Sequence, residues 1–181
     1  RHSFPTRRSS DLADHPLIAH VAPDADLSGW VAELSPHARA LMQAFWPGPL
    51  TLVLPKGERM SLTVTGGQQS VGVRCPDHPV AIELLRDVGV PVAAPSANRF
   101  GKVSPTRAAH VLQELDGRID YVLDGDIPRV GIESTIVSLI GDQPAILRPG
   151  AITASQIEEV LKTPVLNLAQ VRAQGDQTRV S

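Results

Sequence analysis

Residues 92–107 read VAAPSANRFGKVSPTR, and the way this stretch divides sets the fold class. Residues 90–94 (VPVAA) predict a short buried strand, Ser104-Pro105 predicts a helix start, and the small and polar residues between them form a turn. Pro95 fixes φ and ends the strand's ladder, while Gly101 lets the backbone bend where a side chain would collide. Ser104 is placed to cap the helix that Pro105 opens, so free N–H groups and the positive helix end face the same space as Arg99, Lys102 and Arg107. Ser96 and Asn98 add a hydroxyl and an amide without bulk. A turn of this kind suits an anion, and it sits where an α/β sheet usually holds a ligand. An ordinary capped, solvated connection has the same local chemistry, so the turn decides nothing alone.

On both sides of this turn, strand and helix patterns alternate. Strands are predicted over residues 16–21, 50–54, 62–65, 71–74, 119–123 and 136–140, with a turn at 141–142 leading into a last strand that reaches residue 147, from short apolar or β-branched runs bounded by turn residues. Helices are predicted over 27–34, 36–45, 79–88, 105–115 and 154–161. Ser35-Pro36 supplies a cap and a first-turn proline, and Trp46-Pro47-Gly48-Pro49 stops that helix. Asp77 is expected to cap the next helix, Gly89 to end it, and Thr153 with Gln156 to form a capping box for the last. Val80, Leu84 and Val88 share one helix face, and Ala108, Val111, Leu112 and Leu115 are expected to point inward. The closely spaced strands within 50–74 and 119–147 require antiparallel pairs alongside parallel ones. The expected fold is α/β: one domain with a twisted, mixed parallel and antiparallel sheet and helices on its faces.

The chain of 181 residues is long enough for one well-buried domain, and 42% hydrophobic content is ordinary for such a domain. Aromatic residues make up only 3%, which disfavours stacking platforms for single-stranded nucleic acid. A net charge of -2 disfavours a general polyanion binder and leaves small anionic ligands open. Cys75 is the single cysteine, so no internal disulfide can form; beside Pro76 after a strand it reads as packing rather than as a nucleophile. No Cys/His spacing fits a structural zinc site, no apolar run reaches the length of a membrane span, and a cytoplasmic location is expected. No Ser-His-Asp spacing, paired-carboxylate site, Walker loop or strand-linked GxGxxG stands out.

The polar investment lies at strand ends and turns: Arg74, Ser96, Asn98, Ser104, Ser134 and Arg148. Arginine grips phosphate or carboxylate through a two-pronged donor fork, and serine or asparagine can orient the rest of a small polar ligand. Taken singly, a strand-end arginine is a surface cation, Ser134 ends a strand, and His20 is a half-buried strand histidine. Six separated segments read together go further. PGPLTLVL (47–54), VGVRCPDHP (71–79), APSAN (94–98), SPT (104–106), GIESTIV (131–137) and ILRPG (146–150) resemble, in order and spacing, the YrdC-like threonylcarbamoyl-adenylate synthase family.

The resemblance covers roughly residues 13–161 and implies a nucleotidyltransferase that joins L-threonine, bicarbonate and ATP into threonylcarbamoyl-adenylate and pyrophosphate. That product is the activated donor for threonylcarbamoyladenosine in tRNA. It further implies ATP contacts from His15, Ser70, Ser96, Asn98, Ser104 and Arg148, and threonine contacts from His20, Arg74, Ala94 and Ser134. ATP is then a substrate, Mg²⁺ accompanies its phosphates, no protein nucleophile or protein metal ligand is required, and tRNA or tRNA-modification proteins are the expected macromolecular partners. A non-catalytic module of the same fold that binds double-stranded RNA is the competing reading; the carbamoyl-transfer domain of hydrogenase maturation is a third.

The ends depart from this pattern. Residues 1–12 (RHSFPTRRSSDL) are basic and aperiodic, and 3–12 match one translation of a common sequencing-library adapter, so they are expected to be non-native. The family carries a Lys-x-Arg phosphate-binding motif just ahead of the HPLI segment, and here Asp11 stands where its arginine would be. The strand, turn and helix before it are expected to be missing, and ATP binding by the chain as it stands is expected to be poor. The domain is expected to span residues 13–163, with 164–181 a tail or the start of an interdomain linker.

Overall fold

The computed structural model describes residues 16–95, 97, 105, 107–125 and 133–173. Six strands form one sheet: β1 (Ile18–His20), β2 (Leu50–Pro55), β3 (Ser70–Arg74), β4 (Val92–Ala93), β5 (Thr135–Ser138) and β6 (Ala145–Arg148). Their spatial order is β4-β1-β3-β2-β5-β6. β1 runs parallel to β3 and β2 parallel to β5, while β1–β4, β2–β3 and β5–β6 are antiparallel. This is the mixed sheet expected from the spacing of the strands.

Among the described residues, five helices accompany the sheet: α1 (Pro36–Phe45), α2 (Pro79–Val88), α3 (Ala108–Leu115), α4 (Ala154–Leu161) and α5 (Leu168–Ala173). The Ser35 hydroxyl caps α1 by accepting from the Ala38 N–H at 3.2 Å. Thr153 and Gln156 form the expected capping box on α4. Gly89 ends α2 in the left-handed region at φ 68°, where a side chain would be strained.

β2 sits between β3 and β5, which explains why its run LTLVLP is buried from Leu50 to Leu54. Leu50, Leu52 and Leu54 point to one face and meet Val71, Val73, Val137, Ala38 and Leu41 of α1, and Ile157 and Leu161 of α4. On the opposite face Val53, Ile136, Ala145 and Leu147 pack against Val171 of α5. The main core therefore lies under one face, and α5 packs on the β5–β6 side of the other.

Several sequence expectations give way to tertiary pairing. Residues 27–34 make one turn, with the Leu27 carbonyl accepting from Trp30 and Val31, and then Val31 bridges to Lys56 and Ala32 donates to Pro55. The sheet edge outcompetes the helical periodicity there. Residues 62–65 are turns rather than a strand, closed by Val64 and Thr65 donating to the Ser61 carbonyl. Residues 119–123 form no strand; Tyr121 and Leu123 are exposed and the segment finds no ladder partner. The N-cap of α2 is His78, without a side-chain cap bond, rather than Asp77. The helix expected from Pro105 begins at Ala108 with Arg107 at its N-cap, and Ser104 lies outside the described residues. Leu112 of that helix is exposed, as are Val80, Leu84 and Val88 on α2.

The segment after residue 163, where the apolar pattern fades, also packs. Leu166 bridges to Ala145, Asn167 and Gln170 cap each other's backbone at 3.0 and 2.8 Å, and α5 places Val171 in the second core. A single buried valine carries that docking, which is too little periodicity to see in a sequence.

Candidate functional site: a polar row across the second face

Strand register builds the site. Directly paired residues point to the same face of a sheet, and the pairings Val92↔His20, His20↔Arg74, Arg74↔Thr51, Thr51↔Ile136 and Ile136↔Arg148 run across all six strands. They form one row on the face opposite the main core, with a register shift between Ile136 and Val137 where β6 joins it. The next row holds Ile18, Gly72, Val53 and Ser138. Five residues expected from the sequence to touch a ligand, His20, Ser70, Arg74, Ala94 and Arg148, share this face, although they come from three strands and from the residue that follows β4.

At one side of the row, Ser134 is the anchor. It is 2% exposed, and its hydroxyl lies 2.9 Å from the Thr51 hydroxyl. Arg148 clamps it: Nε and Nη2 donate to the Ser134 carbonyl at 3.1 and 3.0 Å, and Nη2 also donates to Ser134 Oγ at 3.0 Å. The remaining prong of the guanidinium pairs with the exposed Glu133 carboxylate. A side chain at Gly150 would collide with the backbone of Glu133, Ser134 and Thr135, so the RPG sequence holds this turn both through the arginine and through the bare backbone two residues on.

Arg74 stands at the end of β3, its Nε donating to the Gly48 carbonyl at 3.2 Å. Burial lowers its pKa, and the positive charge of Arg148 acts in the same direction, with Asp77 opposing. The two guanidiniums therefore repel each other across the row, an arrangement that an anion between them would relieve. Beside Arg74, His20 is held mainly by burial, and then by Arg74, below its ordinary pKa of 6.5; the backbone of Ile18 and Val92 partly offsets this. Its ring is neutral at neutral pH. Nδ1 is buried with no hydrogen-bond partner among the described residues, an orphaned polar atom that a ligand can satisfy.

This shift fixes a pH dependence. Below pH 6.5 the unfolded chain protonates His20 while the folded chain resists, so stability is full above about pH 6.5 and falls as pH drops toward the lowered folded value. Urea unfolding between pH 7.5 and 5 is expected to show a shallower decline for His20→Gln than for the unaltered chain. Equal declines would show that His20 does not carry the effect.

The row brings His20, Arg74, Ser134 and Arg148 together. It does not bring Ser70 to Arg148: Ser70 lies at the other end of β3, roughly 13 Å from Arg74 along the strand, with its hydroxyl 3.4 Å from Gln68 Oε1. Ala94 follows β4, its N–H donating to the Ile18 carbonyl at 3.2 Å, level with Gly72. His15, Ser96, Asn98 and Ser104 lie outside the described residues. Thr51 and Glu133 were not singled out by the sequence. The signal for Thr51 is one hydroxyl inside the apolar run LTLVL, which by itself reads as packing. Cys75 is buried, and burial pushes its thiol up to about 11, in keeping with a packing role. Among the described residues, no group of three or more His, Cys, Asp or Glu could hold a metal ion, and no helix is long and apolar enough to cross a membrane.

A mixed α/β sheet with a row of cationic, imidazole and hydroxyl side chains across the face opposite its main core is the class of domain these features define. The family model Sua5_yciO_yrdC, described as "Telomere recombination", matches residues 7–150, and the chain belongs to that family. Threonylcarbamoyl-AMP synthase of Bacillus subtilis is 49% identical over 82% of this chain and 43% of its own length. The Pyrococcus abyssi protein of the same name is 45% identical over 82% of this chain and 44% of its own. The structure of P. abyssi Sua5 complexed with L-threonine superposes with a TM-score of 0.81 at 40% identity, covering 93% of this chain and 49% of that one. The chain thus spans under half the length of these relatives. Escherichia coli YciO, at 20% identity and TM-score 0.64 over 80% of this chain and 70% of its own, shares the fold.

Proposed function

We propose that the polar row binds L-threonine and ATP, and that the domain joins them with bicarbonate into threonylcarbamoyl-adenylate, as an L-threonylcarbamoyladenylate synthase. The observation that carries this reading is the convergence of Arg148, Ser134, Arg74 and the unsatisfied His20 Nδ1 on one face. L-threonine is placed at His20, Arg74 and Ser134, with Ala94 one row away. ATP is placed toward Arg148 and Ser70, with His15, Ser96, Asn98 and Ser104 assigned by resemblance. The naming of the B. subtilis and P. abyssi relatives and the L-threonine complex of P. abyssi Sua5 support the substrate class.

The chemistry asks for positioning rather than a nucleophile. The threonine amine and bicarbonate condense to a carbamate with loss of water; a carbamate oxygen attacks the α-phosphate, and pyrophosphate leaves. Arginines across the row neutralise charge on the carboxylate and phosphates. A divalent cation such as Mg²⁺ enters with the triphosphate, held by its oxygens and by water. Delivery of the product to tRNA, through tRNA itself or tRNA-modification proteins in the cytoplasm, belongs to the same proposal.

Calorimetric titration with L-threonine tests it, because Asp11 is expected to keep the rate of pyrophosphate release low. Saturable one-to-one binding of L-threonine, much weaker for L-valine, is the expected result. No L-threonine binding, together with steeply salt-dependent binding of double-stranded RNA, would replace this reading with a non-catalytic RNA module.

Gly72 provides a second check. A Cβ there would meet Ile18 and Thr51 at 3.6 Å, an ordinary contact, so packing within the sheet does not demand glycine. A glycine inside a strand often marks close approach of a ligand. Gly72→Ala is expected to keep the urea midpoint close to that of the unaltered chain, because its Cβ meets only ordinary contacts, and to weaken L-threonine binding by about tenfold. Unchanged affinity would remove this part of the face from the site.

A further inference from the structure

We propose that Thr51 is a positioning residue that governs which way the Ser134 hydroxyl points, an inference that rests on the placement of L-threonine at Ser134. Thr51 is fully buried in β2, at 0% exposure, and lies in the row between Arg74 and Ile136. Arg148 Nη2 donates to Ser134 Oγ at 3.0 Å. A guanidinium has no acceptor, so this bond commits one lone pair of the serine oxygen. The Thr51 hydroxyl lies 2.9 Å from that same oxygen, and either atom of the pair can donate. It makes no other hydrogen bond among the described residues.

The pair therefore holds two protons and a single contact between them. With no ligand acceptor nearby, the order Arg148 to Ser134 to Thr51 is favoured, because each donor polarises the next. When an acceptor oxygen such as a carboxylate reaches Ser134, the serine turns its proton outward. Thr51 then donates into the lone pair that Ser134 leaves open, and the serine oxygen stays fully bonded. Only a residue that can both accept and donate at position 51 supports both states. Valine keeps the branched shape and the methyl that faces Gly72 but can do neither.

Thr51→Val and Thr51→Ser are compared with the unaltered chain by L-threonine calorimetry, with urea unfolding as the measure of folding. Thr51→Val is expected to remain folded and to weaken L-threonine binding by about tenfold. Thr51→Ser, which restores the hydroxyl but not the methyl, is expected to return affinity to within about threefold of the unaltered chain. A Thr51→Val chain with undiminished affinity, or a Thr51→Ser chain no better than Thr51→Val, overturns the inference and leaves the functional proposal standing. Failure of the unaltered chain to bind L-threonine overturns both.

Discussion

Arg148→Met is expected to lose about 100-fold in affinity for L-threonine and to lower the unfolding midpoint as well, because it strips the buried Ser134 of three hydrogen bonds. The guanidinium makes two bonds to the Ser134 carbonyl, one to its hydroxyl and an ion pair with Glu133. Hydrogen bonds from a charged donor contribute about 1.5–3 kcal/mol each to the folded state, so the clamp both stabilises this turn and fixes the Ser134 hydroxyl for the ligand. Glu133 remains exposed and solvated in the variant, so the fold does not inherit a buried unpaired charge. Arg148→Lys is expected to fail nearly as badly, because an ammonium cannot span the carbonyl and hydroxyl as a fork does. Calorimetry with L-threonine measures both. Affinity within about threefold of the unaltered chain in Arg148→Met would show that the clamp on Ser134 is dispensable for binding.

The largest effect on stability is expected from Leu52→Ala. Leu52 is 0% exposed at the centre of β2 and packs in the main core under one face of the sheet, in the same cluster as Leu41 of α1 and Ile157 of α4. Emptying that position is expected to cost about 2–5 kcal/mol, from lost burial and from the cavity left behind. Urea unfolding gives the number directly. A loss under about 1 kcal/mol would mean that α1 and α4 collapse into the space, and that the core is less tightly packed than the burial of Leu41 and Ile157 indicates.

Much of the sheet was legible because its central strands carry strong local signals. LTLVL is uniformly apolar, VGVR ends in a cation, and ILRPG stops at a proline; each became β2, β3 or β6 within a residue or two. The failures have a common cause. Residues 27–34 and 62–65 have plausible local patterns, yet their backbone groups find partners on distant segments, and no local pattern encodes those partners. α5 depends on Val171 meeting Ile136 and Ala145, a contact between distant parts of the chain.

The site divides in the same way. His20, Arg74, Ser134 and Arg148 were named from motifs whose individual residues have bland explanations, and the sheet register places them on a common face. Thr51 and Gly72 were invisible for the opposite reason: a threonine or a glycine in a strand carries no chemical signature until its neighbours across the ladder are known.

The row has a consequence for how binding is tied to folding. Its side chains come from β1, β3 and β2 and from either side of β5, and Thr51 and Ser134 meet although 83 residues separate them. A one-residue slip of β2 would turn Thr51 into the core and set a leucine in its place. No partly assembled sheet can present the row, so a ligand that grips it draws on the stability of every strand at once. Its binding energy then protects the whole domain against unfolding instead of stiffening one loop.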